Sequence, residues 1–259
     1  MTTDKNNELP NIVKLESLAQ EETKRKHWRE IELFAEIPNV FISGFNCMGS
    51  FEIKEDNEPE HIWLRIVTRC FHSIRCSINL MLKGYYSQAM SLLRTGTEDW
   101  FICGTCQSNE KVRNCLLRDK GKMPKYFELA KEMEAMDVYK GEYSYQSKFI
   151  HSSSLSLRVL YNINTKSINI APIYDEYLFF LCAESLVRVF LRMAEYMGRI
   201  LIYLDMNKAK SWDKENSQRL KDAVSWLKEL REKYGNDTKN ANQDYTLTAT
   251  HKEELNAAG

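Results

Sequence analysis

The sequence is short of the residues that interrupt secondary structure, and it has no excess of charge. It contains only 10 Gly and 5 Pro among 259 residues, whereas a many-stranded sandwich or barrel needs a turn signal about every 8–12 residues. Lys plus Arg and Asp plus Glu each number 36, so the formal net charge is zero. A neutral chain has no overall attraction to nucleic acid or to an anionic membrane, and binding of either kind requires a local basic patch.

Long apolar runs are absent as well. No run of about 18 uncharged apolar residues occurs, so the sequence predicts no transmembrane helix and no membrane partner. The first ten residues are polar and lack the apolar segment of a signal peptide. The seven cysteines are odd in number and lie mostly in apolar segments. Without an export signal, we expect them to be reduced and the protein to be cytoplasmic.

Signatures of metal and cofactor sites are incomplete. Cys103 and Cys106 form one CxxC pair, but no second pair and no histidine at zinc-finger spacing accompany it. These cysteines are therefore more typical of buried thiols than of a metal or redox centre. No glycine-rich phosphate loop and no nucleophile elbow occur, so we expect no cofactor and no metal.

Apolar residues at helical spacing are what the sequence does have. They recur at i, i+3, i+4 and i+7 in residues 60–83, and a similar pattern starts again after Gly84 and continues to Cys106. A connection this short favours an antiparallel helical hairpin. Residues 173–204 are apolar on most faces, which is typical of a helix at the centre of a bundle. The sequence therefore predicts an all-α fold, a bundle of about six or seven helices.

Two segments differ from this helical pattern. Apolar and polar residues alternate in 155–163 and 167–170, with Asn-Thr-Lys between them, which predicts a small β-hairpin insertion near 155–171. Residues 236–259 are polar and nearly aperiodic, as in a disordered tail. We therefore expect a single α-helical domain over residues 10–235.

A polar stripe runs along the predicted helix 60–83. Its members are spaced by 4, 3, 4, 3 and 4 residues, which places them on one helical face: Arg65, Arg69, His72, Cys76, Asn79 and Lys83. A guanidinium can hold a phosphate with two hydrogen bonds, and an imidazole can transfer protons near neutral pH. The stripe is either a phosphate site with His72 as acid or base, or a solvated helix face.

Two further sets of residues have the types needed for chemistry. Arg94 and Glu98 are an i, i+4 pair on the next helix; they either position an anionic ligand or form a structural ion pair. His151 precedes three serines at the end of an aromatic segment. It is either an acid or base, or a capping or core histidine.

Two segments resemble the signatures of an uncharacterised bacterial all-helical family. Residues 84–98, GYYSQAMSLLRTGTE, resemble its glycine, small residue, Leu-Leu-Arg and later glutamate. Residues 143–153, YSYQSKFIHSS, resemble its second signature, an aromatic residue followed by serine and then His-Ser. The resemblance covers about residues 60–205 and implies an all-helical fold without a particular activity. The positions it marks as ligand-binding or catalytic are Arg94, Glu98, Ser147 and His151.

More distantly, the chain resembles the HEPN group, which includes ribonucleases of phage defence and toxin systems. The motif of that group is an arginine and a following histidine with about four to six residues between them, and six residues lie between Arg65 and His72. The resemblance implies RNA or a nucleotide as partner, cleavage without a metal, and a dimer.

The sequence leaves open whether the protein is an enzyme. The alternative is a non-catalytic helical module that forms homo-oligomers through residues 213–234 or the central helix. Convergence of the candidate side chains in one open cleft favours the RNA hypothesis, whereas dispersal or mutual pairing favours the module.

Overall fold

The computed structural model describes residues 12–49, 53, 57–150, 161–162, 167–168, 172 and 174–234. The fold is all-α, as the sequence predicts. Within this described part, no helix is both long enough and apolar enough to cross a membrane.

The N-terminal part forms helices α1 (Ile12–Lys26) and α2 (Trp28–Met48). His27 is the single non-helical residue between them, and its buried ring stacks on Phe179 with 4.2 Å between ring centroids. Pro38 lies inside α2. A proline removes one hydrogen-bond donor from a helix, and α2 continues through it, with Ile37 and Val40 of the same turn buried.

The predicted helical hairpin consists of α3 (Glu58–Leu82) and α4 (Tyr86–Thr105). Gly84 joins them with φ of 84°, a left-handed conformation that glycine adopts without a Cβ clash. The N–H of Tyr85 donates to the carbonyl of Leu80 at 2.9 Å, which closes the end of α3. Gly84 therefore ends α3 and permits the short connection between the two helices that the sequence predicts.

Short helical elements follow α4. They are α5 (Glu110–Arg118), α6 (Tyr126–Glu132), α7 (Met136–Val138), a π-helical turn (Tyr139–Tyr143) and α8 (Ser144–Ile150). A π-helical turn makes i→i+5 hydrogen bonds, is rare in proteins, and is frequent at functional sites. In this protein it packs against α4.

Two short segments pair after α8. Strands β1 (Tyr161–Asn162) and β2 (Ser167–Ile168) are antiparallel, with Tyr161 opposite Ile168. The rest of segment 155–171 lies outside the described residues, so the hairpin insertion stays a prediction. The predicted tail, residues 236–259, also lies outside them.

The central helix is α9 (Glu176–Leu204), which packs against α2, α3 and α4. Its first turn is capped by Asp175, whose carboxylate accepts a hydrogen bond from the N–H of Leu178 at 2.9 Å. A Cβ atom at Gly96 of α4 would lie 2.5 Å from Cγ1 of Val189. Glycine at this position therefore permits the close approach of α4 and α9, and the predicted central place of this helix is confirmed.

The last helix is α10 (Met206–Tyr234). Contacts divide the chain into two units within it, one that ends at Arg219 and one that begins at Leu220. In the first unit, the indole N–H of Trp212 donates to the carbonyl of Val40 at 3.0 Å and attaches α10 to α2. The domain bounds expected from the sequence, residues 10–235, stay a prediction.

Candidate functional site on helices α3 and α4

The polar stripe predicted on α3 lies on an exposed face of that helix. Five of its six members are exposed: Arg65, Arg69, His72, Cys76 and Asn79. The sixth, Lys83, is half-buried, with its Nζ 3.0 Å from Oε2 of Glu16. Residues 62–82 include three arginines and no carboxylate. The face is therefore locally basic on a chain whose net charge is zero.

Arg69 connects this face with a buried carboxylate on α4. Its guanidinium donates to both oxygens of Asp99, from Nη2 to Oδ1 and from Nε to Oδ2 at 3.3 Å. The Arg69 side chain is 53% exposed, and that of Asp99 is 1% exposed. Burial raises the pKa of Asp99 from 3.8 to about 6, and the Arg69 guanidinium limits that rise. Asp99 is therefore an anion at neutral pH that takes up a proton in mild acid.

A recess of about 200 Å³ lies between α3 and α5, beside this pair. Four apolar and two cationic side chains line it: Ile62, Ile66, Leu116, Leu117, Arg65 and Arg69. Apolar walls with a few polar groups are the usual lining of a small-molecule site.

Arg94 and Glu98 meet Tyr143, at the end of the π-helical turn. Arg94 Nη2 donates to the Tyr143 hydroxyl at 2.7 Å, and this hydroxyl donates to Glu98 Oε1 at 3.2 Å. Arg94 Nε lies 3.2 Å from the same oxygen, and the two charged side chains are 20% and 17% exposed. Ser147 donates its hydroxyl to the Tyr143 carbonyl at 2.8 Å. These groups bind one another, which favours the structural-ion-pair alternative for Arg94 and Glu98.

Glu142, the neighbour of Tyr143, pairs with the central helix. Nη1 and Nη2 of Arg192 donate to its two carboxylate oxygens at 2.8 and 2.9 Å. Thr97 of α4 donates its hydroxyl to Oε1 at 3.2 Å. The Arg192 guanidinium also lies 4.4 Å from the ring centroid of Trp100. A two-point ion pair with these added contacts fixes the π-helical turn between α4 and α9.

Tyr126 of α6 lies near the carboxylates of both α4 residues, Glu98 and Asp99. Burial, and then the charge of Glu98, raise the pKa of the Tyr126 hydroxyl, which therefore stays protonated. Its ring is 5.8 Å from that of Tyr143, centroid to centroid. The polar cluster around α4 thus joins three carboxylates to three arginines: Glu98, Asp99, Glu142, Arg69, Arg94 and Arg192.

The structure places the candidate residues that it describes in two groups rather than in one open cleft, and this dispersal by itself favours the non-catalytic module. On the exposed face of α3 are Arg65, Arg69 and His72. In the polar cluster around Tyr143 are Arg94, Glu98 and Ser147. The two groups are connected through Arg69, because its partner Asp99 follows Glu98 on α4. His151 lies outside the described residues, so its role stays a prediction.

Sequence reasoning missed Asp99, Glu142 and Arg192. A signal for the first was present, because Asp99 is three residues after Gly96 and four before Cys103, on the apolar face of α4. A charged residue on such a face requires a partner. The partners come from other helices, which local spacing does not reveal.

The CxxC pair is part of the core. Cys103 and Cys106 are buried and unpaired, and burial raises the pKa of the Cys106 thiol to about 12. Both thiols are therefore protonated and unreactive at neutral pH. In the part of the chain that the structure describes, no group of three or more His, Cys, Asp or Glu side chains is placed to hold a metal ion.

Comparison of the chain with protein families, with curated proteins and with solved structures found no significant match.

Proposed function

We propose that the protein binds RNA along the exposed face of α3, with His72 as the acid or base of a metal-independent cleavage. The candidate residues do not meet in one cleft, so the proposal is confined to α3. It is supported by the placement of Arg65, Arg69 and His72 on successive turns of one exposed face, in a helical segment (62–82) that has no carboxylate of its own. A rise of 1.5 Å per residue puts Arg65 and His72 about 10 Å apart along the helix axis. This length allows a strand of RNA to contact both residues. The proposal extends to a HEPN-like role in phage defence or as a toxin.

The two arginines have different roles in this proposal. Arg65 is exposed and provides the first phosphate contact, which a guanidinium makes with two hydrogen bonds. Arg69 is paired with Asp99, so it contributes less than Arg65 to phosphate binding at neutral pH. Arg94, Glu98 and Ser147 act as positioning residues, since they hold the π-helical turn on the helix that carries Asp99.

Binding of a fluorescent single-stranded RNA in EDTA tests the phosphate contacts. Arg65→Ala is expected to weaken binding uniformly across sequences and to lower the slope of log K against log salt by about one. Lys210→Ala is the matched control, because it removes one exposed positive charge from α10. Equal effects of the two variants, or no binding by the wild type at low salt, would refute RNA binding on α3.

Cleavage is tested separately with the same RNA in EDTA. His72→Ala is expected to bind RNA but to lose cleavage, with unchanged helical content by circular dichroism. General acid–base catalysis contributes about 10²–10⁴-fold in rate, so the loss should be at least a hundredfold. Cleavage that persists in this variant would exclude His72 as the acid or base.

A second candidate function is self-association through α10, as a non-catalytic homo-oligomeric module. The observation that favours it is a recess of about 310 Å³ in the second unit, where Leu220 and the 40%-exposed Val224 lie between the polar residues Lys221, Ser225 and Lys228. Light scattering after gel filtration tests it, with Val224→Lys as the variant. Ser211→Lys is its control, because it adds the same charge at an exposed position of α10 outside the recess. A monomeric wild type would refute self-association.

A further inference from the structure

The recess between α3 and α5 combines two features that an RNA-binding face alone does not need. Its apolar walls include Ile62 and Ile66, which are 1% and 4% exposed. Arg65 and Arg69 line the same recess. Its volume of about 200 Å³ is below the range of about 300–1,000 Å³ typical of pockets for drug-sized ligands. An apolar recess of this size with two guanidinium groups is complementary to one planar ring that carries one phosphate.

A buried carboxylate behind the recess, that of Asp99, competes with such a phosphate for Arg69. Arg69 is half-exposed and lines the recess, while two of its nitrogens, Nε and Nη2, donate to the buried carboxylate of Asp99. Arg65 lies one helical turn away and lines the recess as well. A phosphate in the recess therefore contacts Arg65 first. It pairs fully with Arg69 only when the ion pair between Arg69 and Asp99 breaks.

We propose that this recess binds a single nucleotide, with the base against the apolar walls and the phosphate at Arg65 and Arg69, and that Asp99 competes with the phosphate for Arg69. The inference rests on the proposed function, because it assigns the nucleotide to the same basic face. It adds a base subsite and a regulatory carboxylate to that face.

Proton uptake accompanies this competition. When the phosphate takes Arg69, the buried Asp99 carboxylate loses its cation and takes a proton from solvent. The titratable and charged groups that face Asp99 are Arg69 and Cys70 from α3, Tyr126 from α6, and Glu98 and Cys103 from its own helix. Burial keeps both thiols and the Tyr126 hydroxyl protonated at neutral pH. Nucleotide binding is therefore stronger in mild acid, where Asp99 is already neutral.

Calorimetric titration with adenosine 5′-(methyl phosphate) tests the base subsite. This probe is a phosphodiester with one negative charge throughout the pH range used. We expect it to bind at least tenfold more tightly than either adenosine or dimethyl phosphate at pH 7.5. Dimethyl phosphate that binds as tightly as the nucleotide would overturn the proposal, because the apolar walls would then contribute nothing.

The competition is tested with Asp99→Asn, which keeps the shape of the side chain and removes its charge. This variant is expected to bind the probe about tenfold more tightly than the wild type at pH 7.5, and no more tightly at pH 5.5. Lys210→Ala is the control and should bind like the wild type. Unchanged affinity in a folded Asp99→Asn variant would overturn the competition.

A second measurement applies if Asp99→Asn does not fold. Wild-type affinity for the probe should rise about tenfold from pH 7.5 to pH 5.5, and the rise should persist in His72→Ala, which removes the nearby imidazole. A rise that disappears with His72 would overturn the role of Asp99. If the wild type binds RNA but not the nucleotide probe, the recess proposal is refuted and the proposed function stands. If the wild type binds the probe but not RNA, the proposed function is refuted.

Discussion

Replacement of Asp99 by asparagine tests whether a buried negative charge lowers the free energy of unfolding by more than its ion pair with Arg69 raises it. The wild-type carboxylate is almost fully buried, and the cation that pairs with it is the half-exposed guanidinium of Arg69. Burial raises the pKa of Asp99 from 3.8 to about 6 in spite of that guanidinium. Asparagine resembles the protonated carboxyl in shape and charge, so the variant keeps the folded state that the wild type has in acid.

The magnitude follows from the pKa difference. One pKa unit corresponds to about 1.4 kcal/mol, so ionisation of Asp99 costs the folded state about 3 kcal/mol. Because the folded pKa is above the unfolded one, the stability provided by the protonated group is fully present below pH 4 and is lost as pH rises through 6. Asp99→Asn should therefore match the wild type near pH 4 and be about 3 kcal/mol more stable at pH 7.5.

Urea denaturation followed by circular dichroism between pH 4 and pH 7.5 gives the two stability curves. A variant less stable than the wild type at pH 7.5 would refute this reasoning, since the Arg69 pair would then outweigh the burial cost. A double-mutant cycle completes the test. Arg69→Ala should cost about 2 kcal/mol at pH 7.5 in the wild type, because a carboxyl with a pKa of about 6 must take up a proton at that pH when it loses its cation. The cost should be much smaller in the Asp99→Asn background.

Three further predictions concern the packing that supports the site. Gly96→Ala should cost about 1–3 kcal/mol in urea denaturation, because its Cβ would lie 2.5 Å from Val189 Cγ1; a stability equal to wild type would show that α4 and α9 separate readily. Glu142→Gln should cost about 3 kcal/mol at neutral pH by leaving the 16%-exposed Arg192 unpaired, and a loss under 0.5 kcal/mol would indicate that water replaces the carboxylate. Gly84→Ala should lower stability by about 1 kcal/mol, because φ of 84° disfavours a Cβ atom; an unchanged melting temperature would contradict this.

The elements that sequence patterns predict well in this protein are those that depend on local spacing. Apolar residues every three or four positions place one face of α3 in the core, whatever the neighbouring helix is. The same argument predicts the exposed position of Arg65, Arg69 and His72 on the opposite face of that helix. The end of α3 is also a local feature, because it depends on the positive φ angle of one residue, Gly84.

The partners of the charged residues depend on the tertiary structure. Arg69 and Asp99 are 30 residues apart, and Glu142 and Arg192 are 50 apart. Whether two such side chains meet depends on how the helices cross and on their rotation about their own axes, and neither quantity is encoded in the period of one helix. For this reason the sequence by itself determined the helical class, the hairpin of α3 and α4, and the basic face. Only the tertiary structure decided that Arg69 is shared with a buried carboxylate and that Arg94 and Glu98 are bound to Tyr143.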